Sequence, residues 1–183
     1  MHIDYVAGLF DGEGSIMIIR HLYRDLNRYS YKALIQLTNT ETVLISEYVK
    51  FLRANDLAYH IHVDDRGPDK KVCYQVSVGT LAAQKRWLEL MIPHLIGKKA
   101  QAELLLDYVT RRIQRNADFD SRRDKNGRFL TGGRAPHDQT EIHMFKTLKS
   151  MHCVGTSETK REALGISQDE DIVQPPGKPE GIN

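Results

Sequence analysis

The sequence predicts an α+β domain in the order helix, two strands, helix, two strands, helix, helix, followed by a C-terminal extension. Three observations predict it. The hydrophobic period changes at Gly14, from helical spacing to the alternation of a strand. Four alternating segments then follow in two pairs, each pair joined by a short polar turn. From residue 118 onward, apolar periodicity gives way to basic, glycine-containing sequence.

The first helix spans residues 3 to 11, with Ile3, Val6, Leu9 and Phe10 at helical spacing. Ser15 to Tyr23 reads as a strand and Asp25 to Ser30 as a loop or turn. In the second strand, Tyr31 to Asn39, Ala33, Ile35 and Leu37 share one face; Lys32, Leu34, Gln36 and Thr38 share the other. Val43, Leu44, Tyr48, Phe51 and Leu52 form the stripe of a second helix, capped by Thr40 or Asn39. Tyr59 to Asp64 sets Ile61 and Val63 against His60, His62 and Asp64. After a turn at Arg66 to Lys70, Val72, Tyr74, Val76 and Val78 alternate with Cys73, Gln75 and Ser77. Leu81 to Met91 is a helix broken by Pro93, and Lys98 to Arg115 is a long amphipathic helix with Ala102, Leu105, Leu106, Val109 and Ile113 as its stripe. Residues 118 to 141 read as irregular, Glu141 to Lys149 as a short helix, and Gln174 to Pro179 as part of a tail. The chain therefore divides into a core over residues 1–117 and a basic, partly irregular extension over 118–183.

With 183 residues, 40% of them hydrophobic, the chain has enough apolar sequence for one proper core plus a tail. Its 26 basic and 24 acidic residues nearly cancel, so charge distribution rather than net charge must point to any nucleic-acid partner. Cys73 and Cys153 are the only cysteines, which excludes a disulfide framework and paired-cysteine zinc sites and fits a reducing, intracellular compartment. No stretch is long and apolar enough to predict a membrane span.

Residues 6 to 14 read Val-Ala-Gly-Leu-Phe-Asp-Gly-Glu-Gly. Three glycines in nine residues cost helix stability. Ala7 and Gly8 suit the close approach of another helix, whereas Gly12 and Gly14 suit a sharp exit that aims Glu13 off the helix end. This run resembles the motif of the LAGLIDADG homing endonucleases, with Phe10 at one apolar position and Glu13 as the last acid. The resemblance covers roughly residues 1 to 117 and implies an αββαββα core with an antiparallel, DNA-binding saddle sheet. It also implies that two motif helices pack together, here through Val6, Ala7, Gly8 and Phe10. Because this chain carries one motif, the implied assembly is a homodimer. Glu13 and Gly12 would then hold Mg2+, with Mn2+ or Ca2+ able to occupy the same sites. Asp11 is expected to be structural, satisfying turn amides. The basic helper in the family matches Lys98, with Lys99 as the adjacent alternative, and Asn39 matches a residue of the water network or caps the following helix. Relatives that carry an arginine four residues later find Val43 here.

Strand alternation and the motif register select the residues facing double-stranded DNA: His21, Tyr23, Lys32, Gln36, Thr38, His60, His62, Arg66, Lys70, Lys71, Gln75 and Ser77. Arg122 and Arg123 in the extension add phosphate contacts. His60 and His62 share a face but lack a third ligand nearby in sequence for zinc. The expected function is a magnesium-dependent, homodimeric endonuclease from a mobile intron, making a staggered break in a long pseudo-palindromic site. An intron RNA maturase and a non-catalytic DNA-binding regulator are the alternatives on this fold.

Overall fold

A computed structural model describes residues 1–23, 28–65, 67–120 and 136–153. The elements are α1 (Ile3–Glu13), β1 (Gly14–Tyr23), β2 (Arg28–Asn39), α2 (Thr42–Ala54), β3 (Tyr59–Asp64), β4 (Cys73–Val78), α3 (Leu81–Met91), α4 (Lys99–Asp120) and α5 (Gln139–Cys153). Their order matches the predicted α+β class. The four strands form one antiparallel sheet in the order β1-β2-β4-β3. Two hairpins, β1–β2 and β3–β4, meet at its centre. They share only the short register from Gln36↔Ser77 to Asn39↔Tyr74, whereas β1 pairs with β2 from Gly14↔Leu37 out to Tyr23↔Arg28.

One sheet face carries the core. Ile16, Ile18, Ile35, Leu37, Val76 and Val78 are buried there with Val6, Ala7 and Phe10 of α1, Tyr48 and Leu52 of α2, Trp87 and Leu88 of α3, and Leu105 and Val109 of α4. Phe10 lies 5.3 Å from the Tyr48 ring and 4.5 Å from the Trp87 ring, inside the normal range for aromatic pairs. Gln84 is buried among them and donates from Nε2 to the carbonyls of Ala33 (3.2 Å) and Val78 (3.1 Å). It therefore bridges the two hairpins at the point where β2 and β4 part.

The structure corrects several boundaries. Helix α1 runs through Gly12 to Glu13, and Gly14 enters β1 in an extended conformation (φ −77°), so no left-handed turn ends the helix. The N-cap of α2 is Glu41, not Thr40 or Asn39; Asn39 Oδ1 instead accepts the Glu41 N–H at 2.8 Å. Ile45 and Val49 join the predicted Tyr48, Phe51 and Leu52 as the buried residues of α2, whereas Val43 is exposed. Helix α4 reaches Asp120, and α5 is longer than the helix predicted over Glu141 to Lys149. Asp138 starts α5 by accepting the Glu141 N–H at 2.8 Å. The pattern Asp138-x-x-Glu141 is a recognisable helix-start signal that sequence reasoning passed over.

Candidate active site at the end of the motif helix

The end of α1 is held by a loop 85 residues away in sequence. Asp11 Oδ2 accepts the Ile96 N–H at 2.8 Å, and Oδ1 accepts the Lys98 N–H at 2.9 Å. Partial burial pushes the Asp11 carboxyl up, but the amides of Ile96, Gly97 and Lys98 and the Lys98 charge outweigh it and hold it below the usual carboxylate value. Its oxygens are thus committed to backbone, as expected for a structural acid.

Lys98 completes the junction. Its Nζ donates to the carbonyls of Phe10 and Asp11, each at 2.7 Å. These belong to the last turn of α1, where a cation complements the exposed carbonyl ends. Burial lowers the Lys98 ammonium below its ordinary value, opposed by the charges of Asp11 and Glu13. Lys99 is exposed and opens α4. Of the two lysines, Lys98 is the one the loop aims at the motif helix.

Glu13 is exposed at the last position of α1. No hydrogen bond or ion pair to it occurs among the described residues. Two residues on, Ser15 opposes Gln36 at the centre of the sheet. There, Gln36 Nε2 donates to Thr38 Oγ1 (3.0 Å) and to Gln75 Oε1 (3.2 Å), which gathers residues of β2 and β4 into one polar cluster. Strand pairing puts His21, Lys32, Gln36, Thr38, His60, His62, Gln75 and Ser77 on this same face, opposite the core. Cys73 shares the register but is buried. In the loop between β3 and β4, Lys70 is exposed and Lys71 reaches 3.3 Å to Glu41 at the start of α2, an exposed pair worth little. Arg66, Arg122, Arg123 and the side chain of Tyr23 lie outside the described residues.

The expected helix-pairing residues divide. Val6, Ala7 and Phe10 are 0%, 1% and 0% exposed, buried in this chain's own core and not offered to a second helix. Gly8 and Gly12 are exposed, with nothing within 4 Å of an added Cβ. Sequence reasoning missed that α1 has two faces: Val6, Ala7 and Phe10 point inward, while Tyr5, Gly8 and Gly12 share the open side at helical spacing.

As metal donors, the exposed Glu13 carboxylate and the helix-end carbonyls are the hard oxygens a divalent cation takes. The described residues hold no group of three or more acidic, histidine or cysteine side chains able to cage a metal within one chain. A single carboxylate with a helix-end carbonyl still fits Mg2+, which keeps several waters and takes phosphate oxygens to complete its shell.

No protein-family model matches the sequence, nor does any curated protein. Solved structures do. The archaeal intron-encoded homing endonuclease I-Vdi141I complexed with DNA is similar over 82% of this chain and 96% of its own, with 13% identity and a TM-score of 0.51. I-SmaMI, bound to uncleaved DNA target in the presence of calcium ions, matches 100% of this chain and 54% of its own at 14% identity and a TM-score of 0.54. The LAGLIDADG homing endonuclease I-GzeII in complex with a DNA target matches 98% and 55%, at 15% identity and 0.53. The protein has the LAGLIDADG homing-endonuclease fold. This chain spans about half the length of I-SmaMI and I-GzeII and nearly all of I-Vdi141I. Among the described residues, no helix of this LAGLIDADG fold is long and apolar enough to cross a membrane.

Proposed function

We propose that the protein is a site-specific DNA endonuclease that works as a homodimer, hydrolysing phosphodiester bonds with Mg2+ to make a staggered break in a long pseudo-palindromic target. The observation that carries the reading is the division of labour at the end of α1. Asp11 is spent on backbone amides and Lys98 on helix-end carbonyls, while Glu13 is left exposed two residues before a polar sheet face. An exposed carboxylate with no hydrogen bond among the described residues suits a ligand brought from outside.

The open Gly8–Gly12 side of α1 lets a second α1 approach, so that two Glu13 carboxylates converge near the two-fold axis. Like charges at that range need a cation between them. Glu13 and the Gly12 carbonyl would hold Mg2+, which supplies activation of water and neutralisation of charge on the phosphate. Lys98, already partly desolvated beside Glu13, adds positive charge facing the phosphate. Asn39 orders water at the edge of the site, alongside its turn contact. His21, Lys32, Gln36, Thr38, Gln75, Ser77, His60 and His62 read base edges in the major groove, and Lys70 and Lys71 meet phosphates at the rim. An origin in a mobile intron is supported by the likeness to I-Vdi141I, which is intron-encoded.

The test is cleavage of a partly palindromic DNA library with magnesium, with calcium and Glu13→Gln as controls. The expected result is one two-fold-related site cut with short 3′ overhangs, cleavage falling by at least about a thousandfold in Glu13→Gln, and DNA affinity nearly unchanged. Unchanged nicking by Glu13→Gln would remove this residue from the chemistry. Selective retention of structured RNA without cleavage would favour the maturase alternative.

A further inference from the structure

Strand β2 loses its β4 neighbour beyond Gln36, so the outer half of the β1–β2 hairpin has an open edge. A two-stranded ribbon is weakly stable and twists freely by itself. Here the edge is closed by side chains in place of a strand. Gln84 Nε2 donates to the Ala33 carbonyl at 3.2 Å and the Tyr108 hydroxyl donates to the Tyr31 carbonyl at 2.8 Å. The Tyr31 N–H in turn donates to His137 Nε2 at 3.1 Å. We propose that His137 is a positioning residue for this hairpin: its ring accepts the Tyr31 N–H and so pins the outer half of the DNA-reading ribbon to α5. The role in DNA reading rests on the function proposed above.

The bonds dictate the ring's state. To accept from Tyr31, Nε2 must carry a lone pair, so the proton sits on Nδ1, which donates to Glu141 Oε2 at 2.8 Å. Glu141 is fully buried and is held by Arg112 at 3.2 and 3.3 Å and by Arg115 at 3.6 Å. Burial pushes its carboxyl up, but the His137 hydrogen bond and the neighbouring positive charges keep it below the usual range. A second ring proton would place an N–H at Nε2 against the Tyr31 N–H, donor facing donor. Among the described residues, the charged and titratable groups of the network around the ring are Asp138, Glu141 of α5, Tyr108, Arg111, Arg112 and Arg115 of α4, and Tyr31 of β2. From β1, Arg20 lies 4.6 Å over the Tyr29 ring and 5.9 Å from the Phe145 ring. Lys32 follows Tyr31 and points to the polar face, so the pin sets where Lys32 and the opposing strand meet a groove.

Hydrogen exchange of the Tyr31 amide in the full chain, corrected for intrinsic rate, tests the pin. His137→Phe keeps a ring but offers no acceptor, and protection should fall roughly five- to tenfold, the loss of about one hydrogen bond. His137→Gln offers Tyr31 another acceptor and should keep the wild-type protection. Wild-type protection in His137→Phe overturns the proposal, and so does a roughly five- to tenfold loss in His137→Gln, even if His137→Phe fails to fold. On the duplex recovered from the cleavage selection, His137→Phe should lose discrimination at outer base pairs and keep it at the centre. If no duplex is selected while exchange behaves as stated, the DNA function falls and the pin stands. Normal discrimination with unchanged exchange does the reverse.

Discussion

One methyl group added at Gly14 tests how α1 is seated. A Cβ there would lie 2.3 Å from Phe10 Cδ1, 2.7 Å from Cγ and 2.8 Å from the Phe10 Cα. The ring has no room to retreat, since Phe10 is fully buried between Tyr48 and Trp87, and the third clash is with backbone. Overpacking costs about 1–3 kcal/mol, and a site where both ring and backbone must move belongs at about 3 kcal/mol. At roughly 2–4 °C per kcal/mol for a chain of this size, Gly14→Ala should melt about 6–12 °C lower. Gly8 and Gly12 are the internal controls, because a Cβ at either meets nothing within 4 Å. Alanine there should raise stability by about 0.5–1 kcal/mol by restricting the unfolded chain. The assay is thermal and urea unfolding at high dilution, where self-association adds nothing. In the proposed dimer, the same two substitutions should weaken association in sedimentation while stabilising the single chain. Wild-type melting of Gly14→Ala, or a lowered melting point of dilute Gly8→Ala, would refute this account of the motif glycines.

The two adjacent lysines should separate cleanly. Lys98→Met removes the ammonium from the Phe10 and Asp11 carbonyls, costing about 1–3 kcal/mol and at least about a hundredfold in cleavage; Lys99→Met should change neither, and equal losses would reject the assignment. Gln84→Leu strips the donor shared by the Ala33 and Val78 carbonyls and should cost about 2–4 kcal/mol in urea unfolding. Wild-type stability there would show that the bridge between the hairpins is not needed. Acid should destabilise the protein through carboxyls whose folded values lie below the ordinary ones, Asp11, Asp138 and Glu141. Their contribution is fully present above the ordinary carboxylate range, about pH 4, and is lost as pH falls through the lower folded values. Asp11→Asn should therefore flatten the stability profile below about pH 4, and an unchanged acid slope would exclude Asp11 as a source.

Much of the fold was legible because its signals are local. The alternation in β1 through β4 assigned Gln36, Thr38, Gln75 and Ser77 to one face before any pairing was known, and the observed register keeps them together. Gly14 was read as a turn-former and proves instead to be a close-packing residue, a distinction invisible without the position of the Phe10 ring. Helix α5 was underread because much of its anchoring is a buried polar network, Glu141 with Arg112 and His137, which hydrophobic periodicity does not register.

What the sequence determined by itself is the α+β order, the composition of the two sheet faces and the isolation of Glu13 at a glycine-flanked helix end. Each depends on residues a few positions apart, whose relative directions are set by the 3.6 and 2.0 periods of the backbone. Tertiary structure decided the rest. It turned Val6, Ala7 and Phe10 into this chain's own core, left Gly8 and Gly12 open, set Lys98 rather than Lys99 on the α1 carbonyls, and gave Asp11 to a loop 85 residues away. Those outcomes depend on which distant element a side chain meets, and burial, hydrogen bonds and charge pairing act only once the chain has brought them together.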